Sequence, residues 1–115
     1  MGYRSEVVLA VDKKLMPEFL AHLATSDEAK TMVFADHDHL DQDYCDEGHL
    51  LVTWGGVKWY ESYPEINVIE RFISEMDEDE DKSEMFRFVR VGEDYEDIEQ
   101  RGYGFDIHVN RSIEY

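Results

Sequence analysis

Three blocks of acidic residues cut this chain into apolar stretches, and any fold it adopts must bury those stretches while leaving every block in water. The first block, from Asp36 to Gly48, carries Asp36, Asp38, Asp41, Asp43, Asp46 and Glu47 and has no Lys or Arg. The second carries Asp77, Glu78, Asp79, Glu80, Asp81 and Glu84 against Lys82 alone. The third carries Glu93, Asp94, Glu96, Asp97 and Glu99, with no base before Arg101. The rest of the chain is nearly balanced, so the net charge of −17 resides in these blocks. Such a field repels nucleic acid and anionic membrane and attracts a basic surface across about one Debye length.

At 115 residues and 43% apolar content, the chain is sized for one domain, residues 1–115, able to bury a core unaided. An aromatic content of 13% argues against a disordered acidic tail. Cys45 is the only cysteine, so no intramolecular disulfide forms. The first residues lack an apolar signal core, and no apolar run approaches the roughly 20 residues that span a bilayer. The expectation is a soluble cytoplasmic protein that contacts neither membrane nor nucleic acid directly.

Periodicity changes along the chain in a readable order. Tyr3 to Val11 is a Val- and Leu-rich extended run that reads as a largely buried strand. Pro17 suits an early helical position, and Met16, Phe19, Leu20 and Leu23 recur at helical spacing. Thr25 to Glu28 matches a capping box for a second helix with Ala29, Met32 and Val33 on its apolar stripe, fraying near Asp38. His49 to Trp54 reads as a strand with Leu50, Val52 and Trp54 on one face and Leu51 on the other, ended by Gly55 and Gly56. Val57 to Tyr60 suits either a short return strand or a bridge. Ser62 to Glu65 is a second capping box, opening a helix with the stripe Ile66, Ile69, Phe72, Ile73 and Met76. Met85 to Val91 alternates as a strand with one wet face, and Phe105, Ile107 and Val109 alternate in a final strand.

The order β, α, α, β, α, β, β predicts an α+β domain: about four strands in a mixed sheet, with helices on one face. If both strand–helix–strand passages are parallel crossovers, the first two acid blocks share an edge of the sheet and the third lies at the opposite end.

Patterns that carry chemistry are sparse. Asp36, His37, Asp38 and His39, followed by Asp41, Asp43 and Cys45, combine metal-ligating side chains. The spacing works against a site, because residues two apart diverge on a helix, and surface histidines among acids are ordinarily solvated; no metal or cofactor is expected. The run from Asp77 lacks the Gly and Glu positions of an EF-hand loop. Cys45 sits among carboxylates that suppress its thiolate, and no nucleophile elbow or phosphate-binding glycine loop is present. The composition points away from an enzyme. Trp54, Trp59, Tyr60 and Tyr63 form an aromatic cluster that suits a core and its rim.

Met1 to Ser5, Val57 to Glu65, Phe88 to Glu99 and Val109 to Ile113 together give the chain a pattern that resembles a group of small acidic proteins encoded by bacteriophages and prophages. The resemblance spans the chain and implies an accessory role in a host cell. Two classes of function are then expected. One is an inhibitor of a host nucleic-acid-binding protein or defence system, of anti-CRISPR or anti-restriction type, that occupies a basic surface by mimicking nucleic acid. Its contact residues would be Asp36, Asp38, Asp41, Asp43, Asp46, Glu47, Asp77, Glu78, Asp79, Glu80, Asp81, Glu93 and Asp94. The other is a binder or sponge for a signalling nucleotide, with Lys58, Arg87 and Arg90 as phosphate partners. Arg87 and Arg90, three apart on a strand, face opposite ways and would not clamp one phosphate. The blander alternative is that the acid blocks serve solubility alone.

Overall fold

Strand β1 (Ser5–Val11) lies at the centre of a five-stranded sheet, and Val7, Leu9, Ala10 and Val11 have no solvent exposure. Its neighbours are β3 (His49–Val57) and β4 (Phe86–Val91), and the edges are β2 (His39–Tyr44) and β5 (Ile98–Arg101), giving the order β2-β3-β1-β4-β5. The computed structural model describes residues 3–94, 96–110 and 112–114, with side chains described as far as residue 107. A separate hairpin pairs β6 (His108–Asn110) with β7 (Ser112–Glu114). Phe105 and Ile107, expected in an alternating final strand with Val109, instead precede β6 in irregular chain, and the Val109 side chain lies outside the described set.

Every neighbouring pair in the main sheet is antiparallel. This corrects the four-stranded mixed sheet with parallel crossovers. The two unpredicted strands, β2 and β5, are edge strands built from the first and third acid blocks, where the polar sequence carries no apolar alternation to announce them. β2 closes onto β3 through a tight turn: the N–H of Glu47 donates to the carbonyl of Tyr44, and Cys45 and Asp46 between them hold φ of 63° and 56°. Positive φ at both central residues matches the right-handed twist of a hairpin. β3 does not stop at Gly55 and Gly56 but runs to Val57. The extra residue is absorbed by a bulge opposite Ser5 to Val7, with Gly56 at φ +65°.

One face of the sheet carries all three helices. The helices are α1 (Met16–Leu23), α2 (Asp27–Phe34) and α3 (Pro64–Asp77). Phe19, Leu23, Ala29, Met32 and Val33 pack with the α3 stripe Ile66, Ile69, Phe72, Ile73 and Met76 onto Val7, Leu9, Leu50, Val52, Phe86 and Phe88. Each fully buried Leu, Ile or Phe in this layer contributes roughly 1.5–3 kcal/mol relative to leaving it exposed. The caps sit one residue later than the capping boxes suggested. Ser26, not Thr25, accepts the N–H of Ala29, and Tyr63 precedes α3 without a side-chain cap. α2 ends at Phe34, short of Asp38. α3, at 14 residues and about 1.5 Å per residue, is long enough to run the height of the sheet, from the Ser5 end of β1 to its Val11 end.

The opposite face is covered by the stretch after β5, where Phe105 and Ile107 pack on Val8, Ala10, Leu51 and Val89. Gly102, at φ +79°, is pressed against the carbonyl of Phe86, an approach that a side chain would block.

Candidate functional site

Antiparallel pairing decides where the acid blocks go. Because β2 returns along β3 instead of crossing over, the first block runs along one edge, with β2 paired to His49 through Thr53 of β3. Asp36 and Asp38 lie at the Ser5 end, Asp41 and Asp43 lie on the edge strand, and Asp46 and Glu47 lie in the turn at the Val11 end. The second block, Asp77 to Asp81, follows α3 at the Val11 end. The third block, in the β4–β5 turn, is at the Ser5 end. The first two blocks therefore have only the Val11 end in common, where Asp43, Asp46 and Glu47 lie, and do not share a whole edge.

The blocks differ more in electrostatics than in position. The third is partly neutralised inside the fold, at Asp97 and Glu99. Arg90 bonds Asp97 through both terminal nitrogens, at 3.1 and 2.8 Å, and Glu99 through Nε at 3.2 Å. Arg101 pairs with Glu99 and Glu70. The Asp97 carboxyl is held below its ordinary value by the Arg90 hydrogen bonds first and the Tyr3 hydroxyl second, while Arg90 is raised by the same bond from the other side. Tyr3 and Arg4 tie this turn to the start of the chain: the backbone N–H of Asp94 donates to the Tyr3 hydroxyl, and that of Arg4 to the Glu93 carboxylate. Burial raises the Tyr3 hydroxyl, and its contact with Asp97 adds to the shift.

Among the described residues, the first and second blocks have no such Lys or Arg counterions: none forms an ion pair with any acid from Asp36 to Glu47 or from Asp77 to Asp81. Several of these carboxylates shape their own loops. Asp38 accepts the N–H of Gly55 at 2.6 Å, Asp41 that of Asp43, Asp43 that of Gly48, and Asp79 those of Asp81 and Lys82. Glu47 accepts from Nε2 of His49. Asp36, Asp46, Asp77, Glu78, Glu80 and Asp81 are exposed and have no carboxylate partner among the described residues.

No known family model matches the chain, and neither does any curated protein or solved structure. The reading of the site therefore rests on its own geometry.

His37 donates from Nδ1 to the carbonyl of Val33, which turns it back onto α2, whereas His39 begins the edge strand. Among the described residues, no group of three or more His, Cys, Asp or Glu side chains is placed to hold a metal ion. No helix among them is long and apolar enough to cross a membrane. Arg87 is engaged by the carbonyls of Gly102 and Ile107 and by Gln100, and Arg90 by its carboxylates, so both guanidinium groups are committed to partners within the fold. Trp54 and Trp59 are core residues, with ring centroids 5.5 Å apart.

A groove that the sequence did not announce lies between α2, the Ser5 end of β3 and the first turn of α3. It holds about 460 Å3 over Met32, Trp54 and Val57, and Asp36 borders it together with Asp27, Glu28 and Glu65. The last three are first-turn helix acids, whose evident explanation in sequence is the helix dipole. Only the packing of α2 beside α3 brings them to Asp36.

Proposed function

We propose that this protein is a non-enzymatic, phage-type accessory protein that acts in the host cytoplasm by docking its acidic surface on the basic surface of a host nucleic-acid-binding or defence protein, in the manner of an anti-CRISPR or anti-restriction inhibitor. The observation that carries this reading is the contrast between the blocks. The fold pairs Asp97 and Glu99 of the third with Arg90 and Arg101 and leaves the first and second without a Lys or Arg partner among the described residues. A protein that needed only internal stability has no use for so many like charges left close together, since their mutual repulsion opposes the compact state. The first block also has a suitable form. At about 3.3 Å per residue, β2 extends roughly 20 Å, and six carboxylates lie along it and its two ends. Over residues 36–47 the carboxylates average one per two residues, about 6–7 Å of extended chain, which is roughly half the charge density of one DNA strand with its phosphate about every 3.4 Å.

The contact surface in this reading is the β2 edge, continued at the Val11 end by Asp77, Glu78, Asp79, Glu80 and Asp81, with Glu93 and Asp94 at the far end contributing least. Its test is recovery of a host protein with the tagged chain from infected cells, followed by a salt titration of the complex. Capture should weaken steeply with salt. It should be lost when Asp36, Asp38, Asp41, Asp43 and Asp46 become Asn and Glu47 becomes Gln, changes that keep a side-chain oxygen to accept the turn hydrogen bonds. Undiminished capture by that variant would reject the proposal.

A further inference from the structure

We infer that the groove beside Asp36 receives an arginine side chain of the basic partner, an inference that rests on the proposed docking and gives it a specific anchor. The groove combines two properties that the exposed acid blocks lack. Its floor is apolar, made by Met32 and Trp54, which are 7% and 3% exposed, together with Val57. Its rim carries carboxylates and no Lys or Arg. Asp27 is paired with Lys30 at 3.1 Å, and Glu28 accepts from the Ser26 hydroxyl at 3.2 Å. Asp36 and the half-buried Glu65 have no side-chain partner among the described residues, so two carboxylates remain available to a ligand.

That combination selects among cations. A lysine ammonium is compact and strongly hydrated and loses water poorly over an apolar floor. A guanidinium is planar and weakly hydrated; its faces rest on apolar or aromatic surface while its edge N–H groups reach carboxylates in pairs. The volume of about 460 Å3 falls in the range of small-ligand sites and holds the arginine stem as well as its head. The neighbouring half of the groove, about 440 Å3, shares Met32, Asp36, Trp54, Val57 and Glu65 but is also lined by Arg4 and Lys58. Arg4 is fixed there by a 2.6 Å bond to the carbonyl of Gly56. These two bases disfavour a second cation alongside the first. The anchor is therefore an isolated arginine flanked by neutral or acidic residues, and not one member of a polybasic run.

The test uses the 15N-labelled full chain titrated with Nα-acetyl-arginine amide and, separately, Nα-acetyl-lysine amide. Arginine amide should saturate shifts of the Trp54 indole N–H and the Thr31, Met32 and Val57 amides, at least about tenfold more tightly than lysine amide. Asp36→Asn with Glu65→Gln should weaken it about tenfold or more, whereas Glu78→Gln with Glu80→Gln and Asp81→Asn should leave it unchanged. Thr31→Arg, an exposed substitution on α2 that places a tethered guanidinium in the groove, should block binding without removing a carboxylate. Unsaturable shifts, shifts of equal size at the second block, or equal affinity for lysine would overturn the assignment. Host-protein capture separates this inference from the one beneath it. Capture that survives both groove variants but not neutralisation of the first block rejects the arginine anchor alone. Saturable arginine binding without any captured protein rejects the inhibitor reading alone.

Discussion

Replacing Glu70 by Gln tests how the sheet and α3 are held together away from the acid blocks. Glu70 is 6% exposed in the middle of α3, where its Oε1 accepts the indole N–H of Trp59 at 2.7 Å and its Oε2 meets Arg101. Arg101 lies over the Phe88 ring, 5.4 Å from its centroid, and also reaches Glu99 at 2.7 Å. Removing one member of a buried ion pair costs about 3–5 kcal/mol, and a hydrogen bond to a charged group contributes about 1.5–3 kcal/mol. The amide keeps an acceptor for Trp59, and Arg101 keeps Glu99 and is 21% exposed, so the loss falls near the lower figure, about 1.5 kcal/mol. For a chain of this length that lowers Tm by roughly 6 °C. Urea unfolding followed by far-UV circular dichroism avoids the direct effect on Trp59 fluorescence. A double-mutant cycle with Arg101→Gln should return a coupling of about 1 kcal/mol. Glu70→Gln within about 0.3 kcal/mol of the parent, or an equal cost with Arg101 already replaced, would refute the argument that this pair is coupled.

Two further substitutions probe local physics. Asp97→Asn removes the carboxylate that binds Arg90 and Tyr3, and with that site a third exposed the cost near neutral pH is about 1 kcal/mol. Because the folded carboxyl lies below its ordinary 3.8, its stabilisation is complete above that value and disappears as pH falls through the folded value. The gap between parent and variant should therefore be constant from pH 5 to 8, as roughly expected from linkage, and close in acid; a gap unchanged down to about pH 2 would contradict it. Cys45→Asn with Asp46→Gly places the favoured pair in the β2–β3 turn, where both φ values are positive, and should raise stability by about 0.5–1 kcal/mol in the same urea assay. A decrease would mean that the turn is not under the backbone strain its φ values imply.

The α+β class, the central strand, the three helices and most of their buried stripes were legible because each depends on periodicity within one segment; Leu20, expected on the α1 stripe, is instead 45% exposed. Ile66, Ile69, Phe72, Ile73 and Met76 announce a helix wherever they are placed. Leu50, Val52 and Trp54 opposite Leu51 likewise divide themselves between two cores. The edge strands were not legible, since β2 and β5 owe their extended form to the strand beside them and not to any alternation of their own. Glu70 shows the same limit from inside, as a charge on a buried helix that only Trp59 and Arg101, 11 and 31 residues away, make tolerable.

The sequence by itself determined how much negative charge this protein carries and which segments must stay wet, because composition and local pattern settle both. Tertiary structure alone decided which of that charge remains unpaired. Antiparallel pairing set Arg90 and Arg101 against the third block, laid the first block along an open edge, and brought Asp36 to Glu65 across a groove floored by Trp54. Coulomb attraction and desolvation depend on distance in space, and separation along the chain does not reveal that distance.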